Sequence, residues 1–88
     1  MTIIYRYQLP YEGELTLPKG AEVLLAGIQK EQIYIWARIN PEETEEESRL
    51  FHIFNTGQGI SNDLNLNFIG TVFFNEAEIV FHIFEQLK

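Results

Sequence analysis

The tetrapeptide Phe-His-Ile-Phe occurs twice, at residues 51–54 and 81–84, and each copy follows an apolar residue, Leu50 or Val80. Successive side chains of an extended chain point to opposite faces, so the His and the second Phe share one face with Leu50 or Val80. The first Phe and the Ile lie on the other face, and both faces are therefore apolar. A strand that is apolar on both faces is covered on both, so each copy predicts a central strand of a sandwich or barrel.

The rest of the chain also shows the two-residue period of β-strands. Apolar runs between turn-forming residues predict strands at 3–9, 14–17, 22–29, 33–39 and 68–74, beside the repeat strands at 49–54 and 78–87. Turns are predicted at 18–20, 30–31 and 75–76, and Gly70 predicts a bulge or the close approach of another backbone. We therefore expect an all-β fold, a single small antiparallel β-sandwich or partly open barrel of about seven strands, with residues 1–88 as one domain.

The charge of the chain narrows the class of partner. Thirteen Asp or Glu residues against six Lys or Arg give a net charge of −7, and the six cations are scattered along the sequence. A protein that binds a nucleic-acid backbone needs clustered cations, so direct nucleic-acid binding is disfavoured. Cations that converge in a homo-oligomer would still form a local basic pocket.

The composition also bears on the compartment. The chain contains no cysteine, so it has neither disulfides nor thiolate metal ligands, which fits a reducing compartment. No apolar run approaches the roughly 18 residues that a membrane-spanning helix needs. The N-terminus does not resemble a signal peptide, because residues 1–4 are followed at once by alternating polar residues. We expect a cytoplasmic protein that does not bind membranes.

The longest polar loop is the first candidate binding site. It contains Asn55, Thr56, Gly57, Gln58, Gly59 and Asp63. Long loops on a rigid β scaffold often carry binding residues, and glycines allow backbone N–H groups to surround an anion. The loop lacks the Lys of a phosphate-binding loop and no predicted helix follows it, so a plain connection is the alternative.

A second candidate is the strand that contains Tyr34, Trp36 and Arg38. These three residues alternate with apolar ones, so they share one face. Aromatic residues together with Arg are enriched at protein interfaces. The alternative is that Trp36 belongs to a second hydrophobic layer inside the sandwich.

Metal binding and hydrolysis are weaker hypotheses. His52 and His82 would need a carboxylate such as Glu78 or Glu85 to form a metal site, and their spacing matches no metal motif. Two histidines that donate to backbone carbonyls at the edge of the core are the alternative. We predict no cofactor and no metal.

Two further patterns have ordinary structural alternatives. Ser61 and Asp63 with a His would supply the groups of a hydrolase triad, but no nucleophile-elbow motif is present. The acidic run at 42–47 would imitate the phosphates of a nucleic acid, or it is simply a solvated loop.

Five stretches of the sequence form a recognisable pattern: Leu17-Pro18-x-Gly20-Ala21, Trp36-Ala37, Thr56-Gly57 with Ile60, Phe68-Ile69-Gly70-Thr71 and Val80-Phe81-His82-x-Phe84-Glu85. In this pattern the sequence resembles a small, largely uncharacterised domain family common in bacteriophages and prophages. The loop of that family reads Gly-Thr-Gly-His-Pro-Ile, whereas this chain has Asn55, Gln58 and Gly59 at the first, fourth and fifth positions. Gln58 can form hydrogen bonds but cannot transfer protons. The resemblance implies a phage-borne accessory protein in a bacterial host and supplies no activity.

Together these features predict a non-catalytic protein that acts by binding. The expected partner is a host protein, for which a component of host defence is an inference by association. The alternative is a binder of a small anionic, nucleotide-like ligand at the 55–63 loop, with an Arg from a neighbouring subunit. Convergence of Arg6, Arg38 or Arg49 on that loop would distinguish the two, because an anion needs a counter-charge. An enzyme is the third reading.

Overall fold

The computed structural model describes residues 1–76 and 78–87 and contains seven β-strands in these residues. The strands are β1 (Ile3–Gln8), β2 (Glu14–Pro18), β3 (Glu22–Gln29), β4 (Gln32–Ile39), β5 (Glu46–Asn55), β6 (Leu66–Phe74) and β7 (Ile79–Gln86). They form two antiparallel sheets, with the orders β1-β4-β3 and β2-β5-β7-β6. The predicted all-β, sandwich-like fold is confirmed, with two separate sheets instead of one closed sheet. The described residues contain no helix that is long and apolar enough to cross a membrane.

The hydrophobic core lies between the two sheets. Alternation along β4 places Ile33, Ile35, Ala37 and Ile39 on its inner face, and all four are buried, as the sequence predicts. The largest core cluster joins β3 and β4 to the four-stranded sheet through Leu9, Ala26, Ile33, Ile35, Phe51, Val72 and Ile83. Burying one such aliphatic or aromatic side chain contributes about 1.5–3 kcal/mol, so these contacts hold the sheets together.

The two repeat strands, β5 and β7, pair with each other at the centre of the four-stranded sheet. Their register places His52 opposite Phe84 and Phe54 opposite His82. Each imidazole therefore neighbours the second Phe of the other copy. The prediction of central strands is confirmed. The three-stranded sheet covers only their inner face, so the cover that the sequence predicts for the outer face has to come from another part of the chain.

The part of the chain that passes over this face is the segment 56–65, here termed the strap, although Phe68 stays 56% exposed. It connects β5 to β6, which run in the same direction because both pair antiparallel with β7 between them. The strap begins with Thr56 bonded to His82 on the outer face and ends at Asn65, whose carbonyl accepts the N–H of Leu87 at 2.7 Å. Because the core fills the inner face, the strap crosses β7 on the outer face. This path is consistent with the 7% exposure of Phe54.

Two predicted turns and one predicted irregularity are confirmed. Residues 30–31 form a two-residue hairpin turn between β3 and β4, and residues 75–76 form the turn that opens the longer connection from β6 to β7. All four residues have positive φ, between 49° and 62°. Gly70 lies beside a bulge in β6, and a Cβ there would approach the Ala26 carbonyl oxygen to 3.2 Å. A side chain at this position would therefore push β3 and β6 apart.

The acidic run at 42–47 is not simply the solvated loop that the sequence favours. β5 already begins at Glu46, three residues before the predicted start at Arg49. Glu45 forms an ion pair with Lys19 at 3.2 Å, and Glu47 forms one with Arg49 at 3.3 Å. Opposite charges from neighbouring segments offset part of the repulsion along the run, and its last two residues pair with Pro18 and Leu17 of β2.

Candidate functional site

The predicted site residues lie in two separate places. Trp36 and Arg38 are on β4, on the outer face of the three-stranded sheet. The loop residues are at the end of β5 and on the strap, against the four-stranded sheet; they are Asn55, Thr56, Gly57, Gln58, Gly59 and Asp63. The outer faces of two packed sheets point in opposite directions. The two groups therefore do not form one site.

The outer face of the three-stranded sheet has an aromatic centre. Alternate residues of β4, from Ile33 to Ile39, are buried against the other sheet. Tyr34, Trp36 and Arg38 lie between them in the sequence and therefore point outward. Trp36 lies between Arg6 of β1 and Leu25 of β3 in the sheet register. No strand of the described part of the chain packs on this face, so the alternative of an inner hydrophobic layer for Trp36 is wrong. We term these residues, with Ile4, the aromatic face; they are Ile4, Arg6, Leu25, Tyr34, Trp36 and Arg38.

The side chains of the aromatic face are held in place by their neighbours. The Arg6 guanidinium lies 4.4 Å from the centre of the Tyr34 ring and also donates to the Gln29 side chain. The rings of Tyr34 and Trp36 have centroids 6.2 Å apart and are inclined by 56°. The Trp36 ring rests on Gly27, where a Cβ would come within 3.1 Å of it. Side chains that are already ordered lose less conformational entropy when a partner binds.

Arg38 completes the aromatic face with a second guanidinium. Its Nε lies 3.2 Å from Oε1 of Glu22, and both side chains are more than half exposed. An exposed pair of this kind is worth about 0–1 kcal/mol, so a partner can replace Glu22 at little cost. A guanidinium has five N–H donors, and Arg38 therefore keeps donors for an acceptor on a partner.

The hydrogen bonds of the strap are mostly internal. The Asn55 N–H donates to Oε1 of Gln58 at 2.9 Å, and the Gln58 N–H donates to the Asn55 carbonyl at 3.1 Å. Gly57 has a φ of 88°, which favours glycine and closes this turn. Further along, the Asp63 N–H donates to Oγ of Ser61 at 3.2 Å.

None of the three arginines tested by the anion hypothesis reaches the strap. Arg6 and Arg38 are on the aromatic face, and Arg49 lies between the sheets against Glu85. Lys88 lies outside the described residues. Two clefts border the start of the strap: one of about 380 Å³ with Asn55, Thr56 and Glu78 in its lining, and one of about 450 Å³ with Asn55, Gln58 and Glu12 in its lining. Neither cleft is lined by a Lys or Arg residue, so neither offers an anionic ligand the counter-charge of such a residue.

His82 joins the strap to two strands. Its Nε2 lies 2.7 Å from Oγ1 of Thr56, and its Nδ1 lies 3.0 Å from Oγ1 of Thr71 on β6. These three residues belong to three of the stretches on which the family resemblance rests. A hydroxyl beside an imidazole whose second nitrogen is also bonded is the arrangement of a base-activated nucleophile. The same two bonds also fasten the strap to the sheet. Sequence reasoning did not identify Thr71, because only the strand order brings it beside His82.

The other histidine has a different environment. Nε2 of His52 lies 2.6 Å from Oε1 of Gln86, and its ring stacks on Phe54 with centroids 5.7 Å apart. The sequence suggested that each histidine donates to a backbone carbonyl. In the structure, the bonds of both imidazoles are instead to side chains. The described residues contain no cluster of three or more His, Asp or Glu residues that could hold a metal ion. Neither histidine bonds to Ser61 or Asp63, so the hypothetical triad is not assembled there.

Arg49 and the buried Glu85 form a partly buried ion pair that sequence reasoning missed. Nη2 of Arg49 lies 3.0 Å from Oε1 of Glu85, and Nε contacts the other carboxylate oxygen. Nη1 donates to the Ala21 carbonyl at 2.9 Å. The hydrogen bonds that Arg49 donates to Glu85 raise the pKa of Arg49, and the charges of Glu85 and Glu47 add to this effect. The signal was available, because Arg49 and Glu85 share the inner faces of their strands with Phe51 and Ile83.

The ion pair borders a cleft of about 420 Å³ near the end of β7. Its lining includes Glu47, Glu85, Gln86 and Leu87. The guanidinium of Arg49 is already paired with two carboxylates and a carbonyl, so this cleft does not offer an uncompensated positive charge to an anion. Its charged groups serve the contact between the sheets.

The fold and the site together define a small two-sheet β-domain with a partly exposed aromatic face and a strap that is bonded to its other sheet. The chain belongs to the DUF7352 family, a domain of unknown function, whose family model matches residues 1–88. Comparisons with curated proteins and with solved structures found no match.

Proposed function

We propose that the protein is a non-catalytic binding module and that its aromatic face binds a protein partner. The observation that carries this proposal is the placement of Trp36, Tyr34 and two arginines on an outer sheet face that no other strand of the described chain covers. Trp, Tyr and Arg are the residues most enriched among those that dominate protein-binding energies.

The chemistry of the face suggests the chemistry of its partner. Ile4 and Leu25 are 57% and 54% exposed at the two sides of the aromatic centre, and they favour an apolar surface on the partner. Arg6 and Arg38 favour carbonyl or carboxylate acceptors beside it. A flat sheet face suits a similarly flat protein surface better than a small molecule, which normally binds in a concave pocket.

The biological setting of the proposal rests on sequence resemblance alone. The stretches shared with a phage and prophage family suggest an accessory protein that acts in the cytoplasm of a bacterial host. Its partner would then be a host protein, such as a component of a defence system. The alternative, a small anionic ligand on the strap, has less support, because none of Arg6, Arg38 and Arg49 reaches it.

Capture experiments with matched variants test this proposal. The protein is immobilised, exposed to lysate of a bacterial host, and stoichiometric partners are identified by mass spectrometry. Trp36→Ala should reduce recovery of the partner at least tenfold, because loss of a central interface residue costs about 2 kcal/mol or more. Phe73→Ala is the matched control, since Phe73 is 57% exposed on the other sheet.

The strap variants distinguish the two candidate sites. Gln58→Ala and Gly57→Val should leave recovery of the partner unchanged while Trp36→Ala reduces it at least tenfold, with cooperative melting checked for each variant. The reverse pattern, or a small molecule released from the purified protein on denaturation and lost in Gln58→Ala, would contradict binding at the aromatic face.

A further inference from the structure

Each sheet has two edge strands, and three of the four are protected against pairing with another chain. β3 and β6 each contain a bulge and pack against each other at Gly70 and Ala26. β2 begins with Glu14 and ends with Pro18, and charge and proline are common protections of an edge. β1 has no proline, bulge or carboxylate. Within the described residues, no strand pairs with its second edge.

The free edge of β1 presents backbone hydrogen-bonding groups at alternate residues. The Leu9 N–H donates to the Ile33 carbonyl at 2.9 Å, in the same register that pairs β1 with β4. Hydrogen-bonded and non-hydrogen-bonded pairs alternate along an antiparallel ladder. The odd-numbered residues of β1 therefore bond to β4. The N–H and C=O groups of Ile4, Arg6 and Gln8 point to the free edge.

We propose that β1 pairs antiparallel with β1 of a second copy of this chain, which joins two three-stranded sheets into one sheet of six strands. A two-fold axis perpendicular to the sheet keeps the aromatic faces of both copies on the same side. With this axis, two residues that face each other across the paired β1 strands both have even numbers or both have odd numbers. This restriction leaves few registers that use most of the strand.

The register centred on Tyr5 fits the side chains best. It places Arg6 of each copy opposite Ile4 of the other, and the two Tyr5 rings opposite each other. Tyr5 is 54% exposed in one copy, and this contact would cover it. The register centred on Arg6 would place like charges opposite each other, which destabilises a cross-strand pair. The proposed register therefore predicts that Ile4 of each copy contacts Arg6 of the other copy.

The charge and the size of the edge favour a second copy as its occupant. The chain has a net charge of −7, yet β1 contains no acidic residue, so two copies can meet here without placing carboxylates against each other. Six paired residues span about 20 Å, and the molecule is 18 Å thick. The flat contact is therefore at most roughly 350 Å² per copy, below the roughly 800 Å² of a standard interface. The dimer should thus be weak, dependent on concentration and favoured by salt that screens the negative charges.

This inference goes beyond the proposed function. The dimer would present two aromatic faces side by side on one continuous sheet and bind a repeated or symmetric partner twice. Binding at a single face does not require it. A failure to dimerise therefore leaves the capture experiment unaffected, and a failed capture leaves the dimer unaffected.

Sedimentation equilibrium between 10 µM and 1 mM protein, on the order of the concentrations where weak dimers form, tests the association. Dimer should appear as concentration rises, and more of it at 300 mM than at 20 mM NaCl, since roughly 10 Å screening operates at 0.1 M. Amide exchange followed by NMR should show Ile4 and Arg6 becoming protected with concentration. A protein that stays monomeric at the highest concentration would overturn the proposal, as would protection of these amides that does not change.

A charge exchange at residue 4 tests the register. Ile4→Glu faces Arg6 of the second copy and should strengthen dimerisation, whereas Ile4→Lys should weaken it, with a difference of at least tenfold. Leu25 is the matched control, because it is equally exposed on the protected strand β3. Leu25→Glu raises the net negative charge and should weaken dimerisation slightly relative to Leu25→Lys. The same order of Glu and Lys at both positions would overturn the proposed register and with it the dimer.

Discussion

Arg49 and Glu85 form a two-point ion pair in the layer between the two sheets. Glu85 is 6% exposed, and the guanidinium also donates to Ala21 at the start of the three-stranded sheet. One residue of β5 thereby links β7 of its own sheet to the opposite sheet. The pair closes an end of the sandwich with charges, where the rest of the layer is apolar.

Removing one partner of this pair should strongly destabilise the protein. We expect Arg49→Met to lower the free energy of unfolding by about 3 kcal/mol, because it leaves the Glu85 carboxylate buried without its counter-charge. Chemical denaturation measures the change. The double variant Arg49→Met/Glu85→Leu should recover part of the loss. Lys19→Met, in an exposed ion pair, should cost less than about 1 kcal/mol, and an equal loss for both would contradict the role of burial.

Loss of the Thr56 hydroxyl should release the strap without unfolding the sheets. Thr56→Val keeps the size of the side chain and removes its bond to His82, at a cost of about 1 kcal/mol. Amide exchange and limited proteolysis should increase within residues 56–65 and stay unchanged in β4. Exchange that increases equally in both regions would show that the strap is part of the global unfolding unit.

The hairpin turn at Lys30 and Glu31 should be improvable. Both residues have positive φ, 50° and 62°, in which ordinary side chains are strained. The double variant Lys30→Asn/Glu31→Gly supplies the residues that such turns prefer and should stabilise the protein by about 1 kcal/mol. Glu31→Ala is the control and should give no gain. A stabilisation by Ala equal to that by Asn-Gly would point to the removal of charge as the cause.

Tyr7 should make the protein sensitive to alkaline pH. Burial raises the pKa of its phenol above the usual 10.0, and the nearby Tyr5 and Glu46 add to the shift. The folded state therefore favours the neutral phenol. This stabilisation is complete below about pH 10 and is lost as pH rises through the folded pKa. Tyr7→Phe should reduce the loss of stability above pH 10 in thermal melts. Tyr11→Phe, at an exposed residue, should not change the profile.

The sequence predicts the strands and turns better than it predicts their arrangement. Alternation along β4 correctly separates the buried Ile35 from the outward Trp36, because the side-chain period depends only on local backbone geometry. The position of β7 between β5 and β6 depends on contacts between distant residues, which leave no periodic signal. The bond between Thr71 and His82 therefore could not be predicted. The pair of Arg49 and Glu85 was partly visible as opposite charges on apolar faces.

The strand order also has a consequence for the sequence of folding events. β7 follows β5 and β6 in the chain, yet it occupies the place between them and supplies the hydrogen bonds of one edge of each. Until β7 arrives, β5 and β6 cannot be held in one sheet, and the strap has no His82 to fasten it. Pairing between strands that are far apart in the sequence slows folding, because the chain between them must close into a loop before their contacts form. On a ribosome, the four-stranded sheet would therefore be completed only after β7 has been translated. Until then, the apolar faces of β5 and β6 would remain exposed to solvent.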